Sequence, residues 1–167
     1  QRQMCKETAL EDEGNESEYI NTLLTRSIDG IILVPCGERP ESLEKIDEQT
    51  PIVLIDRYFE DTSLSYICTD NYRGALDGVK LLIENGHKEI LCIRGVPHSM
   101  PSKERVKGYI DALRESGFDT RSRIAGNDYS ITNGYLETKL AIGSPARPTA
   151  IFALSNTIMP VSYTHLT

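Results

Sequence analysis

Basic charge is scarce in this chain. Its 167 residues carry 18 Lys and Arg against 25 Asp and Glu, for a net charge of −7 and a pI near 5.0. Phosphate binding needs clustered cations, so this balance argues against a broad nucleic-acid surface, and any contact with DNA is expected outside these residues. Long apolar runs are missing too. None approaches the ~18 residues of a membrane-spanning helix, and Gln1-Arg2-Gln3-Met4-Cys5 lacks the charged-then-apolar pattern of an export signal. The expectation is a cytoplasmic chain with no membrane partner. Catalytic spacings are absent as well: there is no P-loop, no GxGxxG, no GxSxG elbow and no pair of carboxylates at a strand end. An enzyme is therefore not expected. Cys5, Cys36, Cys68 and Cys92 form no CxxC pair and have no histidine cluster nearby. They read as small buried hydrophobes in a reducing compartment. His87, in the turn after a helix, and His98, in a loop, have no partner at ligand spacing, so neither a metal nor another cofactor is expected.

What is present is an alternation of β-branched runs and helical patterns. Gln3 to Glu7 is a possible strand. Asn15-Glu16-Ser17-Glu18 reads as a capping box opening a helix with Tyr19, Ile20, Leu23 and Leu24 on one face. Ile31 to Pro35 is continuously apolar, which predicts a strand covered on both faces. Then come a helix over Pro40 to Gln49, a strand from Pro51 to Ile55 ending at Asp56, a strand from Ser65 to Thr69, and a helix over Tyr72 to Asn85 stopped by Gly86. The pattern repeats as strand Glu89 to Arg94, helix Ser102 to Ser116, a short strand near Arg123 to Ala125, helix Thr132 to Ile142, and strand Thr149 to Leu154. Strands separated by helices of this length predict βαβ units, parallel sheet and an α/β fold. Ligands of such sheets bind at the carboxyl ends of strands. Here those ends are Pro35 to Gly37, Asp56 to Tyr58, Gly95 to Ser102, Asp128 to Ser130 and Ser155 to Thr157.

Three motifs occur in fixed order: Thr69-Asp70-Asn71-Tyr72-Arg73-Gly74-Ala75, Ser102-Lys103-Glu104-Arg105-Val106-Lys107-Gly108-Tyr109, and Ala150-Ile151-Phe152-Ala153-Leu154-Ser155-Asn156. Together they resemble the ligand-sensing core of the LacI/GalR family of bacterial transcriptional regulators. The resemblance implies two parallel-sheet, Rossmann-like subdomains of the periplasmic-binding-protein-like type I fold, incomplete in this sequence. It places residues 1–69 in the first subdomain and 70–159 in the second, with an effector cleft between them. On this pattern the helix-turn-helix, the hinge, the first core strand and the first core helix precede the sequence. The last third of the core would follow it. Residues 160–167 depart from the family's amphipathic helix, because Pro160 and a β-branched, polar run give no apolar stripe, and a non-native tail is the expectation.

The resemblance also implies four effector-binding residues: Asp56, Arg105, Tyr129 and Asn156. A carboxylate at Asp56 can accept bonds from neighbouring hydroxyls, or it can be a solvated turn aspartate. Arg105 offers a fork of donors to vicinal hydroxyls or a carboxylate; the alternative is an exposed arginine in a charged helix start. Tyr129 can stack on an apolar ligand face, or merely close a strand. Asn156 can donate and accept at once, or cap the next helix. Pro101 stands where some sugar-responsive members place a serine, so Ser99 or Ser102 is the expected substitute. The function implied is sensing of a sugar or other small polar effector in a homodimeric regulator that meets operator DNA only through its missing N-terminal domain. The alternative is the sugar-binding protein of a transporter. A helix-turn-helix or an export signal in the upstream reading frame would discriminate the two.

Overall fold

The structure, a computed structural model, describes residues 13–36, 40–118 and 123–159. The expected strand over Gln3 to Glu7, Gly37 of the first strand-end loop, and the tail 160–167 lie outside the described residues. The chain divides into two compact units between Thr69 and Asp70.

The first unit contains α1 (Glu13–Leu24), β1 (Ile31–Leu33), α2 (Glu41–Asp47), β2 (Ile52–Ile55) and β3 (Ser65–Ile67). Its strands form one parallel sheet in the order β1-β2-β3. Ile20 of α1 and Leu43 of α2 pack with Ile31, Ile52, Leu54 and Leu64 into its core. The expected capping box at Asn15 to Glu18 does not open α1, which already includes Glu13. Glu16 instead accepts the backbone N–H of Cys36 at 2.6 Å, a long-range bond that local spacing cannot announce. The expectation that Ile31 to Pro35 is covered on both faces is also corrected. Ile31 is buried, but Ile32 is 73% and Val34 52% exposed, so among the described residues only one face is covered. Pairing stops at Leu33, two residues before Pro35, which has no N–H to give a ladder.

The second unit contains α3 (Asn71–Glu84), β4 (Ile90–Ile93), α4 (Met100–Glu115), β5 (Arg123–Ala125), α5 (Ile131–Ile142) and β6 (Ala150–Ala153). Its parallel sheet runs β5-β4-β6. β4 is the strand buried on both faces. Ile90 and Cys92 pack with Leu76 and Val79 of α3 and with Tyr109, Ala112 and Leu113 of α4, while Leu91 and Ile93 pack with Ile158 on the other side. Tyr109 is fully buried and its hydroxyl donates to the Ile90 carbonyl at 2.7 Å, so its burial of roughly 1.5–3 kcal/mol leaves no orphaned polar atom. Asp70 caps α3 by accepting the Arg73 N–H at 2.8 Å, and Gly86, with φ at 91°, turns the chain off the helix in a conformation open to glycine. The helices α3 and α4 meet at Gly108, where a Cβ would stand 2.4 Å from the Tyr72 carbonyl oxygen.

Of the cysteines expected to be buried, Cys92 is; Cys36 is half-buried and Cys68, just beyond the short edge strand β3, is exposed. Cys5 lies outside the described residues.

Candidate functional site

The parallel strands of the second unit place three loops at one edge of its sheet: 94–99 after β4, 126–130 after β5 and 154–157 after β6. The β5 loop is held by a buried side chain, Asn133, in the first turn of α5. Its amide donates to the Arg94 and Asp128 carbonyls at 3.2 and 2.6 Å, and its oxygen accepts the Asn127 N–H at 3.4 Å. Gly126, with φ at 87°, fits beneath it. Ser130 caps α5, and its hydroxyl and N–H bonds to Asp128 hold that carboxyl below its ordinary pKa.

Tyr129 projects from this loop across Gly95, so closely that a Cβ on Gly95 would stand 1.9 Å from a ring carbon. Its hydroxyl lies 2.9 Å from Ser99 Oγ. Because Ser99 gives its one proton to the Val96 carbonyl at 3.1 Å, the tyrosine O–H is the donor in that pair. The Tyr129 carbonyl in turn accepts the Thr157 hydroxyl at 2.7 Å, tying the β5 and β6 loops together.

Arg105, in the second turn of α4, is half-buried. Its Nε donates to Oδ1 of the buried Asn71 at 2.8 Å and its Nη1 to the Leu154 carbonyl at 2.6 Å, which brings the guanidinium to the end of β6. Nη2 has no hydrogen-bond partner among the described residues. Arg105 is thus half-buried and bonded within the fold rather than an exposed helix-start arginine. Asn156 follows two residues after Leu154 and is exposed. It is not the cap of the turn that follows: Ser155 Oγ accepts the N–H groups of Thr157 and Ile158 at 3.1 and 3.3 Å.

Three of the four expected residues, Arg105, Tyr129 and Asn156, thus share the strand-end edge of the second unit. Asp56 belongs to the first unit. It is exposed, with φ at 66°, a left-handed conformation that aspartate tolerates better than most residues. Neither expected substitute for the missing serine offers an unengaged donor at the surface: Ser99 is bonded to Val96 and Tyr129, and Ser102 is 1% exposed. Sequence reasoning missed Asn71, Asn133 and Gly95. Asn71 stood inside a quoted motif, but its bond to Arg105 spans 34 residues. A separate open groove of about 410 Å³, lined by Arg94, Lys103, Lys107, Ile110 and Arg114 among others, includes neither Arg105, Tyr129 nor Asn156.

Residues 6–167 match the family described as periplasmic binding proteins and sugar binding domain of the LacI family. Among curated relatives, the transcriptional repressor CytR of Escherichia coli is 34% identical over 146 residues, covering 84% of this chain and 42% of the repressor. Catabolite control protein A of Priestia megaterium is 30% identical over 145 residues, covering 85% of this chain and 44% of that protein. A crystal structure from Burkholderia thailandensis, assigned as a ribose operon repressor, superposes with a TM-score of 0.82 at 30% identity, over 94% of this chain and 58% of that one. The Cra regulator of Pseudomonas putida in complex with fructose 1-phosphate superposes at 0.83 with 18% identity, over 96% and 60% of the two chains, a likeness of fold alone. The chain spans about two fifths of the length of the curated relatives it matches. On the extent of the family match, with the fold of two parallel-sheet units, the chain belongs to the family of periplasmic binding proteins and LacI-type sugar-binding domains.

Proposed function

We propose that this chain is part of the effector-sensing core of a LacI-type transcriptional regulator, and that its ligand is a sugar or similar small polar molecule. The observation that carries the reading is the Arg105 guanidinium, braced by Asn71 and the Leu154 carbonyl so that Nη2 stays available at the strand-end edge. A charged fork held in place loses little freedom when it binds, so its bonds to a hydroxyl pair favour binding more than those of a mobile arginine. Tyr129 supplies an apolar ring, and Asn156 an amide with no hydrogen bond among the described residues, at the same edge. Asp56, in the first unit, is proposed as an acceptor on the family resemblance alone. Relatives named as repressors, among them the sucrose operon repressor of Klebsiella pneumoniae at 28% identity, favour the regulator over the transporter protein.

In this reading the protein acts in the cytoplasm as a homodimer and catalyses no reaction. Ligand shifts the balance between two arrangements, and DNA contact is made by residues outside this sequence. Calorimetric titration with a panel of neutral sugars that includes sucrose and ribose tests the reading. The expected result is saturable binding of one sugar with a rise in melting temperature. Absence of saturable binding across the panel contradicts it.

A further inference from the structure

Gly95 has no backbone reason to be glycine. Gly86, Gly117 and Gly126 hold φ values of 91°, 74° and 87°, where side chains are strained, but Gly95 is not among the positive-φ residues. What excludes a side chain is the Tyr129 ring: three of its carbons would lie 1.9, 2.3 and 2.3 Å from a Cβ at position 95. The ring is pinned at its other end, since its hydroxyl donates to Ser99 Oγ, whose own proton goes to the Val96 carbonyl. Its backbone is pinned as well, through Thr157.

From this geometry we infer that Gly95 and Ser99 are positioning residues for Tyr129, and that they determine which ligands this edge accepts. The inference rests on the effector reading above and deepens it. With its proton committed to Ser99, Tyr129 offers a ligand its ring carbons and an acceptor oxygen but no hydrogen-bond donor. The class selected is a molecule with a flat, C–H-rich face, such as a furanose or pyranose ring, over one without such a face, such as an acyclic polyol. A methyl group at position 95 would displace the ring and break the Ser99 contact without straining the backbone.

The test has a ligand-free arm and a ligand arm, both on the full chain. In proton NMR of the unmodified chain, the Gly95 α-protons should be shifted upfield by the ring current of Tyr129 and show cross-relaxation to its ring protons. Both signals should vanish in Tyr129→Leu. In Gly95→Ala the cross-relaxation between the Tyr129 ring and the Ser99 β-protons should vanish while circular dichroism stays that of the unmodified chain. If Gly95→Ala does not fold, Ser99→Ala and Tyr129→Phe, which delete only the hydroxyl pair, take its place and should each loosen the ring. An unshifted Gly95, or a Tyr129–Ser99 contact that survives Gly95→Ala, overturns the inference.

In the ligand arm, sucrose, ribose and the acyclic polyol ribitol are titrated. Ser99→Ala should narrow the preference for the ring sugar over ribitol roughly tenfold, about one decade of affinity ratio, with the melting temperature little changed. Gly95→Ala should add no loss of affinity to Tyr129→Ala, because both act through one ring. An unchanged preference, or additive losses, overturns the inference. If none of the three binds the unmodified chain, the effector reading fails for them, and the ligand-free arm decides the positioning of Tyr129 by itself.

Discussion

Burial sets the chemistry of single residues here. The Cys92 thiol, enclosed by Val79, Tyr109 and Leu154, is pushed up to about 12, because a thiolate there would lose its water. Its folded pKa lies above that of an unfolded thiol, so the neutral form, and the stability that goes with it, persists throughout the neutral range. Brief alkylation of the native chain near pH 8, read by mass spectrometry, should label the exposed Cys68 and spare Cys92, with Cys36 between them. Equal labelling of Cys68 and Cys92 would contradict the packing of β4. Arg105 follows the same logic. Its removal would take away the charged donor that the buried Asn71 oxygen and the Leu154 carbonyl accept from, so Arg105→Ala should lower stability by ~1–3 kcal/mol in denaturant titration. A loss near zero would mean those bonds are not maintained in solution. The sequence announced Arg105 through its motif but not this structural role, since Asn71 and Leu154 lie 34 and 49 residues away.

At the scale of elements, period and composition located each helix and strand of the described residues, with ends displaced by a few residues. The strand at Arg123 to Ala125 was legible to its last residue, because Gly126 punctuates it. The start of α1 was not, because the Asn15 to Glu18 pattern mimics a cap while Glu16 serves Cys36 instead. Burial of strands was legible only in part: a continuous apolar run describes β4, closed on both faces, and β1, closed on one. Which of these a run becomes is decided by packing from distant residues. The α3–α4 contact yields a paired prediction. Gly108→Ala would push against the Tyr72 carbonyl and should cost about 1–3 kcal/mol, as overpacking does, whereas Gly74→Ala meets nothing within 4 Å and should gain up to ~1 kcal/mol from helix propensity. Chemical denaturation of the two variants checks the sign of each, and equal effects would contradict the close crossing.

At the scale of the whole molecule, two surface properties have consequences. Ile32, Val34, Ile55 and Ile67 lie on one face of the first unit's sheet, 73%, 52%, 39% and 66% exposed. A contiguous apolar face of this kind favours association, so the purified chain should bind a hydrophobic dye and self-associate with rising concentration in sedimentation. Paired Ile32→Lys and Ile67→Lys changes should suppress both, and a monomer that ignores the dye would contradict the exposure of that face. The net charge of −7 leaves little cationic surface for DNA, so this chain alone should give no sequence-selective, salt-resistant complex in an anisotropy titration. The central claim, that the strand-end edge of the second unit holds a small polar ligand, is tested most directly at Asn156, which is exposed and carries no hydrogen bond among the described residues. Calorimetry with a sugar that binds the unmodified chain should show Asn156→Ala weakened by ~0.5–1.5 kcal/mol, a loss of up to about one decade in affinity, at an unchanged melting temperature. Binding by Asn156→Ala as tight as that of the unmodified chain would contradict it.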